Sequence, residues 1–388
     1  MGFIANTGET GMDRECSDEI RRIRRKLHQN PELGRKEYQT AEFIEYEMNK
    51  LGIKTCRFRE TAVMGMLQGG CEGPTAAIRA DMDGLPLQEK TKASFTSKQP
   101  DIMHACGHDV HMAAALGAAR ILAAEKDRLK GNVVFLFQPD EEGRGGAEDM
   151  VSMGCMKGVD AVFGAHVSPE LPEGHIGVRY GKFYAASDMF EVEVRGISSH
   201  GAMREKGIDA LEAAARMVTE LLALPAKVTG DPCVLTVGKL QSGSAGNILP
   251  GEADFEGIIR TLGPVTRAAM EEAFRETIAS VAAQTKTKTE IHYRHSYPGI
   301  VNDDRMTQLV EKTSERVLGK EYTHRLLQPV MMTEDFGYFL EKTPGSYFHI
   351  GAGCNLPLHH PGFLPAEEVA VKLARLHAAL VKEFLNKR

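Results

Sequence analysis

Three neighbouring segments decide the fold: TAAIRA at residues 75–80, DVHMAAALGAARILAAEK at residues 109–126 and NVVFLF at residues 132–137. The first and the third are short apolar runs of the length expected for buried strands, whereas the second is alanine-rich with helical spacing of its apolar residues. A strand, a helix and a second strand in this order are typical of a crossover between parallel strands. Residues 75–137 therefore predict an α/β domain with a largely parallel sheet.

The same pattern continues on both sides of this stretch. Apolar residues recur at helical spacing over residues 16–27 and 39–51, and further runs of buried-strand type stand at 159–165 and 346–352. Near the end of the chain, residues 305–318 and 366–385 are predicted as helices. Alternating strands and helices thus assign residues 1–183 and 297–388 to one discontinuous α/β domain.

The pattern changes at about Phe183. Over residues 184–296 it predicts a strand, a helix, two strands, a second helix and a last strand. This β-α-β-β-α-β order is typical of a compact α+β domain in which two helices cover one face of the sheet. We therefore predict that residues 184–296 form a ferredoxin-like domain inserted into the larger one.

The composition excludes several classes of protein. The chain has 388 residues, of which 42% are hydrophobic, and its 47 basic and 53 acidic side chains give a net charge of −6. Such a chain can bury large cores and offers no basic surface for nucleic acid. No window reaches the ~18 apolar residues of a membrane span, and the first residues lack the apolar region of a secretory signal. With seven widely spaced cysteines and no CxxC pair, these features predict a cytoplasmic protein without membrane partners.

Polar side chains follow each predicted strand of the larger domain, which is where ligands bind in open α/β sheets. They are Asp81, Asp83, Asp140, Glu141, Glu142, His166, His359 and His360, together with Cys106 and His108 from the turn before the 109–126 helix. Carboxylates, imidazoles and a thiol are the ligands of a transition-metal site. Taken singly, each has a plainer interpretation, such as a hydrogen-bonded structural histidine or a solvated pair of loop glutamates.

The turn before the 109–126 helix raises two further expectations. A helix start lowers the pKa of a nearby thiol, so Cys106 is expected as a thiolate rather than as a small buried hydrophobic residue. Asp109 is expected to be the N-cap of the helix that follows, a role that we favour over metal binding.

Seven motifs of the chain belong together. They are RADMDGLP at 79–86, HACGHD at 104–109, QPDEEG at 138–143, GISSHGA at 196–202, NILP at 247–250 with GIIRTL at 257–262, TEDF at 333–336 and LHHP at 358–361. In this order they resemble the motifs of aminoacylase/carboxypeptidase-type metallohydrolases, and the resemblance covers about residues 20–385. The most similar branch is that of the amidohydrolases that cleave hippurate and indoleacetyl-amino acids.

The resemblance implies a zinc-exopeptidase-like catalytic domain with a dinuclear metal site. The residues that match the metal ligands of the family are Cys106, His108, Glu142, His166 and His359. Cys106 matches the position that bridges two divalent ions, and Glu141 matches the catalytic carboxylate. The family's last ligand stands two residues before a proline, which selects His359 over His360. Zinc or manganese is the expected metal, with cobalt or nickel as alternatives.

The resemblance also implies a reaction, the metal-dependent hydrolysis of N-acyl amino acids or amino acid conjugates to a carboxylic acid and a free amino acid. Metal-activated water would attack the amide, with Glu141 as general base and then general acid. Asn247 and Arg260 match substrate-binding positions, and His200 matches a histidine that stabilises the oxyanion. In dimeric relatives the smaller domain joins the subunits, so we expect a homodimer in which residues 184–296 form a lid and dimerisation domain. The family commonly has proline at the position of Arg204. The loop shape and substrate choice of the family are therefore a weaker guide to this chain.

Other functions fit the sequence less well. A dipeptidase or carboxypeptidase of the same family is the nearest alternative, because it would use the same metals and differ only in its substrate pocket. A serine hydrolase would need a GxSxG turn, but in the stretch SGSAG Ser242 takes the place of the first glycine. The sequence contains neither GxGxxG after a predicted strand nor a Walker loop, which disfavours a dinucleotide-binding enzyme. A binding scaffold without metal is disfavoured because every ligand position carries a competent side chain.

Overall fold

A computed structural model describes residues 11–386 and shows two compact units. The first unit consists of the described residues up to Gly181, of Asn302–Leu327, and of the described residues from Tyr338 onward. The second unit consists of Lys182–Val301 and Gln328–Gly337, so the latter segment lies outside the larger domain to which its sequence was assigned. The expectation of a missing secretory signal rests mainly on residues 1–10, which lie outside the described range.

The helices and strands are numbered along the chain. The helices are α1 (Gly11–His28), α2 (Tyr38–Lys50), α3 (His108–Ala123), α4 (Ala147–Ser152), α5 (Ala210–Leu222), α6 (Pro264–Thr285), α7 (Asp304–Val317), α8 (Gly337–Leu340) and α9 (Glu367–Asn386). The strands are β1 (Lys54–Phe58), β2 (Ala62–Gln68), β3 (Cys71–Asp81), β4 (Lys130–Gln138), β5 (Ala161–Ser168), β6 (Ile176–Val178), β7 (Gly181–Tyr184), β8 (Ala186–Arg195), β9 (Ser199–His200), β10 (Cys233–Ser242), β11 (Ile248–Leu249), β12 (Glu252–Thr261), β13 (Lys288–His295), β14 (Ile300–Asn302), β15 (Thr323–Arg325) and β16 (Gly345–Gly351). Within residues 11–386, the helices are all too short or too polar to cross a membrane.

The first unit contains a mixed sheet of eight strands in the order β1-β2-β4-β3-β5-β16-β6-β15. Its four central strands are parallel, with β3 between β4 and β5 and with β16 beside β5. Ile78 of β3 is paired with Phe135 of β4 and with Phe163 of β5, and all three side chains are completely buried. Apolar runs without alternation thus form strands buried on both faces, and the predicted α/β fold with a largely parallel sheet is confirmed.

The alanine-rich helix α3 packs tightly against its neighbours. A Cβ atom added to Gly117 would lie 2.7 Å from the side chain of Ile20 in α1 and 2.8 Å from the Cβ atom of Ala374 in α9. Small side chains on α3 therefore allow three helices to approach closely on one face of the sheet. The first residue of α3 is His108.

The prediction that Asp109 is a helix N-cap is wrong. The N-cap position of α3 is Gly107, two residues earlier, and the helix begins at His108. Asp109 is instead fully buried, and its Oδ2 atom lies 2.8 Å from Nε of Arg24 and 2.9 Å from Nδ1 of His28. The carboxylate therefore joins α1 to α3 through a buried ion pair.

We predict that Asp109→Asn destabilises the protein by about 3–5 kcal/mol, because it leaves the buried guanidinium of Arg24 without a counter-charge. Asparagine caps helices about as well as aspartate, so the same exchange at a true N-cap should have little effect. Asp303 provides the matched control, since its side chain accepts a hydrogen bond from the backbone N–H of Met306 at the start of α7. Urea unfolding of the metal-free variants measures both changes, and equal stability of the two variants would contradict the prediction.

The second unit has a four-stranded antiparallel sheet in the order β10-β12-β8-β13. Along the chain its main elements follow as β8, α5, β10, β12, α6 and β13, which is a split β-α-β arrangement. Its own core contains Phe190, Phe255 and Phe274, and each of these side chains is buried. The role of this unit as a lid or dimerisation domain stays a prediction.

Candidate active site

The polar residues of the first unit meet where its central parallel strands end. Asp81, the last residue of β3, is paired with Gln138, the last residue of β4. Glu141 and Glu142 follow three and four residues after Gln138, and His166 lies near the end of β5. The topology thus brings side chains from distant parts of the sequence to one edge of the sheet.

Among five groups of potential ligands in residues 11–386, two share Cys106, and the first of these consists of Cys106, His108 and His166. Their side chains are buried, and their ligand atoms all lie within 4.8 Å of one another. The Sγ atom of Cys106 lies 3.3 Å from Nε2 of His166. Two imidazoles and a thiol at these distances can share one ion.

Cys106, Glu142 and His359 form the second group, also with ligand atoms within 4.8 Å of one another. Nε2 of His359 lies 2.9 Å from Oε1 of Glu142. The backbone at His359 is left-handed, with φ of 64°, and its N–H donates to the carbonyl oxygen of Ala105 at 2.9 Å. The neighbouring His360 instead accepts the Gly362 N–H through Nδ1 at 3.0 Å. The structure therefore places His359 against the cluster, and Cys106 belongs to both groups.

Hydrogen bonds turn two of the imidazoles toward the cluster. Nδ1 of His108 lies 2.9 Å from the carbonyl oxygen of Asp83, and Nδ1 of His166 lies 2.7 Å from that of Val167. In the neutral imidazole, which is the form that binds a metal ion, Nδ1 must carry the proton to donate, and a lone pair is left on Nε2. Nε2 of His108 is buried without a hydrogen-bond partner among residues 11–386, as expected for an atom that binds an ion.

Asp83 and Asp81 hydrogen-bond to residues of this cluster and to its neighbour His111. The side chain of Asp83 accepts the backbone N–H of Glu142 at 3.0 Å, in addition to the contact of its carbonyl oxygen with His108. Asp81 accepts hydrogen bonds of 2.6 Å from Arg79 and from Nδ1 of His111. The sequence analysis did not single out His111, although its spacing of three residues from His108 places both on one face of α3.

The electrostatics of the cluster favour a bound cation. Burial alone would lower the pKa of His108, but the carboxylates of Asp81, Asp83 and Glu142 outweigh this effect and raise it to about 10. Burial would likewise raise the pKa of Glu142, but the hydrogen bond with His359 and the charge of His108 lower it to about 2. The carboxylates thus concentrate negative charge at the cluster, and this charge would stabilise a bound cation.

The surrounding protein favours the neutral thiol of Cys106 rather than the expected thiolate. Burial raises the pKa of the Cys106 thiol, and the nearby carboxylates of Glu142 and Glu141 raise it further. The expectation that the start of α3 lowers this pKa is therefore wrong, because burial outweighs the helix dipole. Binding of a divalent ion by Cys106 would require loss of the thiol proton.

The donor set fits divalent transition metals. Bonds of about 2.0–2.3 Å to nitrogen, oxygen and sulfur place two ligands of one ion no more than roughly 4.6 Å apart, which is close to the spacing found here. A thiol, three imidazoles and a carboxylate suit transition metals better than magnesium or calcium, which prefer oxygen ligands. Two groups that share one sulfur atom fit a pair of ions.

Glu141 is buried beside both groups. Its Oε2 atom lies 3.9 Å from Nε2 of His108, and its carboxylate also lies within 4.8 Å of a ligand atom of Glu142. This position places a second carboxylate at the cluster in addition to Glu142. Geometry alone allows it to exchange protons with a molecule bound there.

The second unit brings His200 and Asn247 together. His200 of β9 is paired with Ile248 of β11, and the N–H of Gly201 donates to the carbonyl oxygen of Asn247 at 2.8 Å. Both side chains are exposed. The loops that carry the two predicted residues therefore form one surface.

Arg260 lies in β12 of the four-stranded sheet, far from the end of β8 that leads to His200. It is paired with Ser187 near the start of β8 and donates a hydrogen bond to the hydroxyl of that serine. Glu252, eight residues earlier in β12, is paired with Arg195 at the end of β8, close to the turn that leads to His200. At ~3.4 Å per residue, about 27 Å of strand separates Arg260 from Glu252. Burial lowers the pKa of Arg260.

Comparison with known proteins agrees with the geometry of the first unit. Residues 77–383 match the family described as peptidase family M20/M25/M40. N-acetyl-L-cysteine deacetylase of Bacillus subtilis is 36% identical over 369 residues, which cover 94% of this chain and 88% of that protein. IAA-amino acid hydrolase ILR1-like 2 of Arabidopsis thaliana is 35% identical over 385 residues, which cover 96% of this chain and 87% of that protein.

A solved structure shows the same fold. The YXEP protein of Bacillus subtilis, described as a dinuclear metal binding peptidase from the M20 family, superimposes with a TM-score of 0.86 at 31% identity. The superposition covers 97% of this chain and 100% of that one. The family match, the two relatives and this fold, together with the buried ligand groups, lead to one conclusion: the chain belongs to peptidase family M20/M25/M40 and is a metal-dependent amidohydrolase.

Proposed function

We propose that the protein hydrolyses the amide bond of N-acyl amino acids or amino acid conjugates and releases a carboxylic acid and a free amino acid. The observation that carries this proposal is the buried carboxylate of Glu141 beside two groups of metal-binding side chains that share Cys106. The names of two relatives, an N-acetyl-L-cysteine deacetylase and an IAA-amino acid hydrolase, support an N-acyl amino acid as the substrate class.

Two divalent ions would be held by the ligands already described. Cys106, His108 and His166 would hold one, and Cys106, Glu142 and His359 the other. Zinc or manganese is proposed first, with cobalt or nickel as alternatives. When bound, such ions polarise an amide carbonyl and lower the pKa of a water molecule.

Glu141 would move the protons of the reaction. Its carboxylate accepts a proton from water as a bond forms between the water oxygen and the amide carbon. It then delivers that proton to the amide nitrogen as the carbon–nitrogen bond breaks. The amine leaves neutral, and the acyl group leaves as a carboxylic acid. Burial beside the cluster suits Glu141 to this role, because bulk water cannot compete for the proton.

The second unit would contribute substrate binding. Arg260 and Asn247 are proposed to bind the carboxylate and the amide of the substrate, and His200 to donate a hydrogen bond to the oxyanion. Because Arg260 lies eight residues along β12 from the strand ends that lead to His200, we propose a homodimer in which each site combines Arg260 of one subunit with His200 of the other. Residues 184–296 would then be the lid and dimerisation domain, and residues 1–183 with 297–388 the catalytic domain.

The proposed compartment is the cytoplasm. All seven cysteines, each within the described residues, are free thiols. Free thiols and a cysteine ligand favour a reducing compartment.

A peptidase acting on dipeptides or on carboxyl-terminal residues is the second candidate. It is favoured by the description of the family and of the YXEP protein as peptidases. It would use the same ligands and the same Glu141, so only the substrate distinguishes it from an N-acyl amino acid hydrolase.

Chelation and a substrate panel test both candidates. We expect the purified protein to release amino acids from N-acetyl, N-benzoyl or indoleacetyl conjugates faster than from dipeptides. Dialysis against a chelator should remove this activity, and zinc or manganese should restore it. Full activity in protein shown by elemental analysis to be metal-free would contradict the proposal, and faster cleavage of dipeptides would favour the peptidase.

A further inference from the structure

The residue before Glu141 has an unfavourable backbone conformation. Asp140 has φ of 56°, in the left-handed region that side chains other than glycine rarely adopt. Its carbonyl oxygen accepts the N–H of Gly145 at 3.0 Å, which closes the turn that carries Glu141 and Glu142. Aspartate tolerates this region better than most residues, and contacts with the surrounding structure stabilise it further.

A turn about 100 residues earlier in the sequence provides these contacts. We call residues 34–37 (GRKE) the 34–37 turn. Nε of Arg35 donates to Oδ2 of Asp140 at 2.6 Å, and Nη2 of Arg35 donates to the carbonyl oxygen of Gly145 at 3.2 Å. The backbone N–H of Asp140 donates to Oε1 of Glu37 at 2.9 Å. The 34–37 turn therefore binds the side chain and the backbone of Asp140 at once.

The carboxylate of Asp140 is packed tightly between two backbone segments. A Cβ atom added to Gly34 or to Gly143 would lie 2.2 Å from Oδ1 of Asp140. The carboxylate thus lies between two glycine residues, one in the 34–37 turn and one in the turn that carries Glu141. A shift of either turn would change the position of the other.

Glu37 is a buried carboxylate that does not cap the helix that follows it. It occupies the N-cap position of α2, yet the N–H groups of Gln39 and Thr40 at the start of this helix donate to the side chain of Glu32. Burial raises the pKa of Glu37 to about 7, although backbone N–H groups, including that of Asp140, partly offset the effect. Its Oε2 atom has no hydrogen-bond partner in the described part of the chain. Keeping such a group buried is costly, so its contact with Asp140 calls for a function.

We propose that Arg35 and Glu37 are positioning residues that hold Asp140 in its left-handed conformation and thereby aim the carboxylate of Glu141 at the substrate. The inference rests on the proposed role of Glu141 as the proton carrier. Proton transfer needs a donor–acceptor distance of about 2.6–3.2 Å, and a displacement of ~1 Å can lower the rate by about 10²-fold. Loss of the contacts that Arg35 and Glu37 make with Asp140 should therefore affect turnover more than substrate binding.

Glu37→Ala and Glu37→Gln test the proposal, with Glu32→Ala as the matched control. Glu37→Ala should lower kcat between about tenfold and 10²-fold, with little change in KM and full metal content. Glu37→Gln should recover most of this loss, because its amide oxygen still accepts the N–H of Asp140. Glu32→Ala removes a carboxylate that caps α2 and should lower thermal stability without changing kcat.

The outcomes separate this proposal from the function on which it rests. A normal kcat for Glu37→Ala beside an inactive Glu141→Gln would overturn the positioning role alone, as would a Gln variant no better than the Ala variant. A fully active Glu141→Gln would overturn the proton carrier itself. If Glu37→Ala does not fold, Arg35→Gln carries the test, since 44% of the Arg35 side chain is exposed. The Arg35→Gln variant should lower kcat at unchanged KM, and an unaltered kcat would refute the positioning role of Arg35 and Glu37.

Discussion

Replacing Glu141 by glutamine should lower turnover by about 10²–10⁴-fold, the usual contribution of a positioned general acid–base group. The amide is nearly the same size and remains buried beside His108, but it cannot take a proton from water. Metal content should stay at the wild-type value, because the proposed ligand groups both exclude Glu141. Steady-state kinetics together with elemental analysis of the same sample measures the two quantities.

Glu142→Gln is the matched variant one residue further along the chain. Glu142 is ionised at neutral pH because its pKa is lowered to about 2, and it lies 2.9 Å from His359. An uncharged amide there should weaken metal binding, so this variant should lose metal in dialysis and recover activity when metal is added. The reverse result, with metal lost from Glu141→Gln and retained in Glu142→Gln, would exchange the two assignments.

The central sheet and the first ligand groups could be predicted because both depend on local patterns. Residues such as Ile78 and Phe135 lie in uninterrupted apolar runs, which only strands buried on both faces require. The polar residues that follow these runs must then meet at one edge of the sheet. The spacing of Cys106 and His108 and the resemblance of the motif at His359 predicted that these side chains cluster, as they do; their role as ligands stays a prediction.

The role of Asp109 could not be predicted because its partner is remote in sequence. Its carboxylate lies beside Arg24, which is 85 residues earlier in the chain. A local pattern shows an aspartate at a helix start and favours an N-cap, whereas tertiary packing turns the side chain inward to a buried guanidinium. The contact of Glu37 with Asp140 spans 103 residues and was missed for the same reason.

The pKa of Cys106 shows a second limit of reasoning from sequence. The helix start is visible in the sequence and lowers a thiol pKa. The degree of burial and the carboxylates from two other loops become visible only when the chain is folded, and they act in the opposite direction. The sum of such effects depends on the complete environment of the group.

His200 is exposed, and its Nε2 atom is oriented as a hydrogen-bond donor by a contact at Nδ1. The backbone N–H of Ala202 donates to Nδ1 of His200 at 3.1 Å, so the proton of the neutral imidazole lies on Nε2. Nε2 can then donate to an oxyanion, as proposed. Removing one such donor commonly lowers kcat by about 10²–10³-fold, so His200→Ala should be almost inactive with normal metal content.

The sheet of the second unit gives the reason to expect that this donor acts on another subunit. Arg260 and the loop of His200 lie at opposite ends of β12 and β8. About 27 Å of strand separates Arg260 from Glu252, which lies at the strand ends that lead to His200. We therefore propose that a site using both residues takes them from two copies of the chain. A twofold dimer would form two such sites.

Subunit exchange between two inactive variants tests this arrangement. A hybrid of His200→Ala and Glu141→Gln has one site with Glu141 from the first chain and His200 from the second, and one site that lacks both. Random exchange between equal amounts should therefore restore about a quarter of the wild-type activity if the protein is a twofold dimer. The control mixes His200→Ala with the double variant His200→Ala/Glu141→Gln, whose hybrids contain no complete site. If exchange is verified by mass and no activity returns, or if the active species is a monomer, His200 does not serve the site of a partner subunit.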